Sequence, residues 1–352
     1  MKTLGYAAHS EKDELKPFHF ERRELRDNDV SIEILYSGVC HSDLHSARND
    51  WGGANYPIVP GHEIVGKVIE IGSKVKKYKV GDTVAVGCMV DSCQNCDQCH
   101  NHEEQFCRSG MTATYNSPDR ITGDITYGGY SKHIVVREEF VLSVPDKLDI
   151  SKAAPILCAG ITTYTPLKLW NVKEGTRVGV IGLGGLGHMA IKLAAAMGAD
   201  VTAISRTKDK EETAKSLGAK GLLASSDEKE MQQHANAFDV IINTVPVKHD
   251  VTPYVPLLDV DGTLIMVGQV GPLNEITTVP MIFGRRRIAG SLIGGIESTQ
   301  EVLDFCAEHN IHPECEMIKM EDINNAWDRL AKGDIPHRFV IDMTAFKMEE
   351  AS

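Results

Sequence analysis

The chain has 352 residues, with 49 acidic against 37 basic side chains and a formal net charge of -12. That length exceeds the range over which one hydrophobic core keeps growing, so two domains are expected. The acidic balance repels phosphate backbones and anionic surfaces, which argues against nucleic acid and membranes as partners; the most apolar stretch, near Val178 to Gly198, is broken by glycines, His188 and Lys192.

The N-terminal MKTLGYAAHSEKDELK meets charge early and has no apolar core of a secretory leader. A cytoplasmic, reducing setting is therefore expected, with the nine cysteines as thiols or metal ligands rather than disulfides. Short strands are predicted at Val30 to Tyr36, Ile64 to Ile71, Thr83 to Val86, Ser131 to Val136 and Phe140 to Val144, each rich in Val, Ile or Tyr and bounded by turn residues. They describe a β-rich first domain. From about Lys152 apolar strands alternate with helices: RVGVIG, a helix over His188 to Met197, VTAIS, a helix over Lys208 to Leu217, then DVIINTV, TLIMVG and IAGSLIG. Near-continuous apolar strands separated by helices require a parallel sheet covered on both faces, a doubly wound α/β domain ending near Gly294 or Gly295. The tail carries helical patterns around Thr299 to His309 and Asp322 to Lys332 and a last strand, RFVIDM, before a KMEEAS end expected to fray.

Gly182-Leu183-Gly184-Gly185-Leu186-Gly187 follows a predicted strand and opens a predicted helix. That context turns a weak glycine pattern into a dinucleotide site: the glycines allow a tight turn and close approach to a pyrophosphate, and the helix start offers unpaired N–H groups. An NAD site wants a carboxylate after the second strand. Here the chain reads Ser205-Arg206-Thr207-Lys208, with Lys210 beyond, a hydroxyl and cations suited to a 2′-phosphate. NADP(H) is thus preferred over NAD, against the alternative of a solvated basic loop.

Two groups of metal-type ligands stand out. Cys93-x2-Cys96-x2-Cys99-x7-Cys107 places four cysteines within fifteen residues, the pattern of a closed structural zinc site. Iron–sulfur runs share the opening but continue with x3-Cys-Pro, whereas here the gap is seven and Arg108 follows. The second group is dispersed over Cys40, His62 and Cys158. Each alone reads as an ordinary buried residue, but together they make the Cys2His set of a catalytic zinc with an open fourth position.

The order CHSDLH, PGHEIVG, four-cysteine loop, PILCAG and GLGGLG resembles the zinc-dependent medium-chain alcohol dehydrogenases. More narrowly, GYAAHS, ILYSGVCHSDLH, the short SRT loop, INTV and RRRIAGSLIGG are similar to the cinnamyl alcohol dehydrogenase branch and its microbial NADPH-dependent aldehyde reductases. The resemblance implies a GroES-like, β-rich catalytic domain over 1–158 and 296–352, a Rossmann cofactor domain over 159–295, two zinc ions per chain, and a homodimer formed through the cofactor domains. It implies Cys40, His62 and Cys158 as catalytic zinc ligands, Glu63 as a transient fourth ligand, Asp43 as a residue orienting a ligand, and Ser42 with His45 as a proton relay. His41 and Arg338 would lie near the cofactor, and Trp51, Cys88 and Met89 would shape a pocket for a bulky aldehyde or alcohol. The implied activity is aldehyde reduction with NADPH; an NAD-dependent polyol or secondary alcohol dehydrogenase, and a non-catalytic zinc and dinucleotide sensor, are the alternatives.

Overall fold

The strand Asp29–Val39 is the axis of the β-rich part of the molecule. The computed structural model describes residues 1–269, 271–273, 275–333 and 338–346; the KMEEAS end lies outside these residues. The chain divides into two compact units, Met1–Cys158 with Gly294–Ser352, and Ala159–Ile293.

In the first unit, Asp29–Val39 pairs antiparallel with Ile64–Ile71 along one side. Its other side is shared: His133–Arg137 covers the beginning and Arg338–Asp342 the end, with Phe339 opposite Val39 and Ile341 opposite Ser37. Thr83–Val86 and Leu142–Ser143 extend the sheet one way and Cys315–Ile318 the other. The strands expected at 64–71 and 83–86 have those bounds, while the first runs longer than expected. The strand expected over 140–144 is instead a single 3-10 turn at Glu138–Phe140 followed by two extended residues. There Arg137 grips both Glu139, at 2.9 Å, and Asp91, at 2.8 Å, and folds the chain back. An unanticipated hairpin, Lys2–Ala7 with Lys16–Glu21, packs against this sheet through a bridge from Gly5 to Ser131. Of the two tail helices, Ile323–Lys332 buries Ile323, Ala326, Trp327 and Leu330, one apolar stripe at helical spacing, and ends at Gly333 in the left-handed region.

The second unit holds six parallel strands. Across the sheet they run Gly221–Ala224, Asp200–Ser205, Arg177–Ile181, Phe238–Asn243, Leu258–Met266 and Arg287–Gly290. Counted along the chain, that is order 3-2-1-4-5-6, the doubly wound arrangement whose direction reverses between Arg177–Ile181 and Phe238–Asn243. Val178, Val180, Ile204, Ile241, Ile242, Leu264 and Ile265 are buried, as strands covered on both faces require. The segment expected as one helix from 208 is a 3-10 turn, Lys208–Lys210, leading into a short helix, Glu211–Ser216. Among the described residues no helix is long and apolar enough to cross a membrane.

Candidate active site

Cys40 is the first residue past the axial strand and caps the helix His41–Ala47. His62 and Glu63 immediately precede the neighbouring strand Ile64–Ile71, where Gly38 N–H donates to the Glu63 carbonyl at 2.8 Å. Cys158 follows the 3-10 turn Ala154–Leu157. The fold thus brings three separated segments together: the ligand-type atoms of Cys40, His62, Glu63 and Cys158 lie within 4.8 Å of one another, and all four residues are buried. The two sulfurs are 3.8 Å apart. Their interaction holds the Cys40 thiol well below its ordinary range and drives Cys158 well above it.

This donor set fits zinc. Two sulfurs, an imidazole and a carboxylate match its ligand preferences, and Glu63 Oε2 is a buried oxygen with no hydrogen-bond partner, an arrangement that costs free energy unless a cation satisfies it. The other Glu63 oxygen accepts from Arg338, whose guanidinium is 4% exposed. Burial pushes the Glu63 carboxyl up to about 7 even though Arg338 pulls it down. Arg338, expected near the cofactor, is therefore placed in the buried charge balance of this cluster.

Asp43 is fully buried, and each of its carboxylate oxygens accepts two hydrogen bonds. Oδ1 takes Gly61 N–H at 3.1 Å and pairs with His62 Nδ1 at 2.9 Å; Oδ2 takes Cys40 N–H at 3.1 Å and Tyr130 O–H at 3.0 Å. With Nδ1 engaged, His62 Nε2 is the nitrogen left to a metal.

Ser42 and His45 lie three residues apart on the helix His41–Ala47 and so on one face. Ser42 Oγ is 3.5 Å from Cys40 Sγ, and His45 Nδ1 is 2.7 Å from Asp50. The His41 ring lies 6.2 Å from that of His45, and burial lowers its affinity for a proton. Of the expected pocket residues, Trp51 is 46% exposed with its ring 5.3 Å from His45, Cys88 Sγ lies 3.6 Å from the Leu157 carbonyl beside the cluster, and Met89 is buried in a two-stranded ladder. Tyr115 and Tyr130 went unnoticed in the sequence, since a buried hydroxyl leaves no spacing signal. Tyr115 O–H lies 3.2 Å from both the Ser42 carbonyl and Ser46 Oγ.

The second cluster is the loop of Cys93, Cys96, Cys99 and Cys107, whose sulfurs also lie within 4.8 Å of one another. Backbone N–H groups point at the sulfurs: Cys93 N to Cys107 Sγ at 3.4 Å, Asn95 N to Cys93 Sγ at 3.5 Å, and Arg108 N to Cys96 Sγ at 3.4 Å. Such donors favour thiolates, so four sulfurs in this frame fit a closed tetrahedral zinc site. No disulfide involves any of the nine cysteines.

In the second unit, the glycine turn sits where the first strand ends, next to the reversal of strand order. Gly182 has φ +92°, and a side chain there would meet Thr244 and Val245. A Cβ on Gly187 would strike the Gly182 carbonyl, whereas one on Gly184 would meet nothing within 4 Å. Two glycines thus satisfy the fold, and the third leaves open space at the turn before the helix Gly187–Ala196, as a pyrophosphate cradle requires. Ser205 ends the second strand, and Arg206 and Lys210 are exposed. Lys208, grouped with them in the sequence, instead donates to the Leu222 carbonyl at 2.6 Å and pairs with Glu230.

A cleft of about 670 Å³ in the first unit contains none of the metal-type ligands. Several of its lining charges are paired with one another, Arg23 with Asp29, Arg26 with Asp119 and Arg137 with Asp91.

A doubly wound dinucleotide unit and a β-rich unit with two thiolate-bearing metal clusters together define a zinc-type dehydrogenase. Residues 26–146 match the alcohol dehydrogenase GroES-like domain and residues 185–308 the zinc-binding dehydrogenase domain. The chain is 52% identical over 324 residues to the probable formaldehyde dehydrogenase AdhA of Bacillus subtilis (strain 168), covering 92% of this chain and 93% of the relative. It is 50% identical to the aldehyde reductase YahK of Escherichia coli (strain K12), over 97% of this chain and 98% of that one. Cinnamyl alcohol dehydrogenase from Helicobacter pylori, solved as a complex with NADP(H), superposes with a TM-score of 0.91 at 44% identity, covering 98% of this chain and 99% of that one. The chain belongs to the zinc-dependent alcohol dehydrogenase family and is an enzyme.

Proposed function

We propose that this enzyme interconverts aldehydes and primary alcohols with NADP(H), working chiefly as an aldehyde reductase on aromatic or aliphatic aldehydes in the cytoplasm. The observation that carries the reading is the buried set of Cys40, His62 and Cys158, with Ser42 Oγ 3.5 Å from the Cys40 sulfur. The similarity to an aldehyde reductase and to a structure complexed with NADP(H) supports it.

Cys40, His62 and Cys158 hold the catalytic zinc, and Cys93, Cys96, Cys99 and Cys107 the structural one. When bound, zinc supplies a Lewis acid for a carbonyl oxygen, and NADPH supplies the hydride. The chain's own part is to orient ligands and to deliver a proton. Asp43 fixes the His62 ring, and Arg338 holds one oxygen of Glu63 while leaving Oε2 available as an alternative ligand. Ser42 Oγ would give its proton to the product oxygen, and His45, whose ring is held by Asp50, would resupply it. Arg206 and Ser205 would hold the 2′-phosphate, while Lys208, engaged by Glu230, would contribute less.

The test is a steady-state comparison of NADPH with NADH across aldehydes, ketones and alcohols, in the wild type and in Arg206→Asp. One charged hydrogen bond is worth about 1.5–3 kcal/mol, so the NADPH:NADH ratio of kcat/KM should fall about 10–100-fold in the variant. An unchanged ratio removes Arg206 from cofactor choice; absence of aldehyde-dependent NADPH oxidation in the wild type removes the whole reading.

A homodimer through the cofactor unit is part of the same proposal. Arg287–Gly290 is the outermost strand of its sheet, and on the helix before it, Val279–Gly284, Ile282 is 71% and Phe283 86% exposed. An open strand edge beside exposed large apolar side chains is an association surface. Phe283→Asp should sediment as a monomer where the wild type is a dimer.

A further inference from the structure

Three of the four donors to Asp43 belong to the metal-binding segments themselves: Cys40 N–H, Gly61 N–H and the His62 ring. The fourth, Tyr130, comes from elsewhere in the chain. Tyr130 is fully buried. The segment around it is clipped to the one that carries His62, with Gly128 N–H to the Val59 carbonyl at 2.7 Å, Gly129 N–H to Gly61 at 2.8 Å and Tyr130 N–H to Pro60 at 2.9 Å. The two backbones approach so closely that a Cβ on Gly61, itself at φ +104°, would stand 2.7 Å from the Tyr130 ring.

Arg22 locks the same segment from outside. Its Nε donates to the His133 carbonyl at 2.8 Å and its terminal nitrogens to Tyr127, to Gly128 at 2.8 Å and to Ser131 Oγ at 2.7 Å. Its guanidinium carbon lies 4.9 Å from the centre of the Phe20 ring, within cation–π range. A planar fork with several fixed donors is suited to hold a loop in one geometry, which a lysine cannot do.

We infer that Tyr130 is a positioning residue for the His62 ligand, acting through Asp43, and that Arg22 holds Tyr130 in place. The inference rests on the reading of the buried cluster as a zinc site. Without the tyrosine hydroxyl, Asp43 keeps its bonds to the ligand-bearing segments but loses the one from the segment that Arg22 and the Gly128–Tyr130 backbone bonds hold in place. Its carboxylate can then swing, and the imidazole swings with it.

The experiment follows zinc release from the holoenzyme to a colorimetric chelator, resolved into two one-equivalent phases, with the catalytic phase identified by its loss in Cys40→Ala. In Tyr130→Phe the catalytic phase should speed up about 3–10-fold, less than the about 10–100-fold cost of losing Asp43, the direct outer partner of the His62 ligand, while the structural phase and the melting temperature stay near wild type. Arg22→Lys should show the same selective acceleration, smaller in size. Wild-type retention of both ions in Tyr130→Phe overturns the inference, as does equal acceleration of both phases with a lowered melting temperature, which is what a merely structural tyrosine gives. Should Tyr130→Phe fail to fold, Arg22→Lys decides by the same criteria. A wild type that releases one ion only refutes the zinc reading itself, a different failure from that of the tyrosine.

Discussion

The two metal clusters solve one problem, gathering thiolates, in opposite ways. The loop of Cys93, Cys96, Cys99 and Cys107 is built from a single stretch, two of its cysteines are part-exposed, and its sulfurs are served by backbone N–H groups of the loop itself. The cluster of Cys40, His62, Glu63 and Cys158 draws on positions up to 118 residues apart, is buried throughout, and is oriented by side chains, Asp43 and Arg338, that the sheet brings in. A local loop can fold around its ion, so its ion contributes directly to local stability. A cluster assembled by a finished sheet can keep its shape through chemistry and leave one ligand position to be exchanged.

The strongest attempt to break this contrast is a pair of substitutions. Cys40→Ala should abolish turnover and retain one zinc per chain with little change in melting temperature. Cys93→Ala should lose the loop's zinc and lower the melting temperature by several degrees, at about 2–4 °C per kcal/mol, while part of the activity survives. If the two variants behave alike in activity and melting, the division into a catalytic and a structural site is wrong.

A smaller effect sharpens the role of side-chain scaffolding. Asp43→Asn keeps the shape of the carboxylate but presents an amide nitrogen to donors on one side, so catalytic-site zinc affinity should fall about 10–100-fold in a chelator competition, with loop zinc unaffected. In the loop the sulfurs are served by several backbone N–H groups together with the Ser92 and Ser109 hydroxyls, so removal of one side chain there should cost less.

The smallest effect concerns pH. Burial pushes the Cys107 thiol up, but the Cys93 N–H and Ser109 pull it down to about 6, below the ordinary thiol value. A depressed folded value means the thiolate is present above about pH 6 and is lost as the pH falls through it. Zinc uptake by the metal-free loop should therefore slow below about pH 6, and Ser109→Ala should move that onset upward by less than about one unit.

The same contrast governs what the sequence discloses. The four-cysteine loop is visible as spacing because its ligands are neighbours, and the glycine turn because strand, glycines and helix succeed each other directly. The strands at 64–71 and 83–86 were legible because apolar runs ended at Gly and Asp. The helix Ala159–Leu169 was missed because Pro166 reads as a breaker, although the chain carries it inside the helix. The N-terminal hairpin was missed because KPFHFE, with Pro17 and little aliphatic content, does not look like a strand until Lys2–Ala7 pairs with it. Within the candidate site, the residue types of Cys40, His62 and Cys158 were readable, but Tyr130 and Arg22 were not. Their parts in the cluster are hydrogen bonds reached through folding, with no periodicity or motif to mark them. Lys208 shows what spacing alone leaves out: a cation in the expected stretch that is also paired with the chain's own Glu230.

The strand Arg338–Asp342 lies between Cys315–Ile318 and the axial strand, and Arg338 closes the charge balance of a cluster whose first ligand is Cys40. During synthesis the second unit, contiguous from 159 to 293, leaves the ribosome and can fold while the sheet of the first unit still lacks its last two strands. The loop at 93–107 can take its ion early in translation. The buried site has all four of its metal-type residues by Cys158, but Arg338, which engages one Glu63 oxygen, joins it only when the strand Arg338–Asp342 emerges. The loop's set is thus complete in the nascent chain well before the charge balance of the buried one.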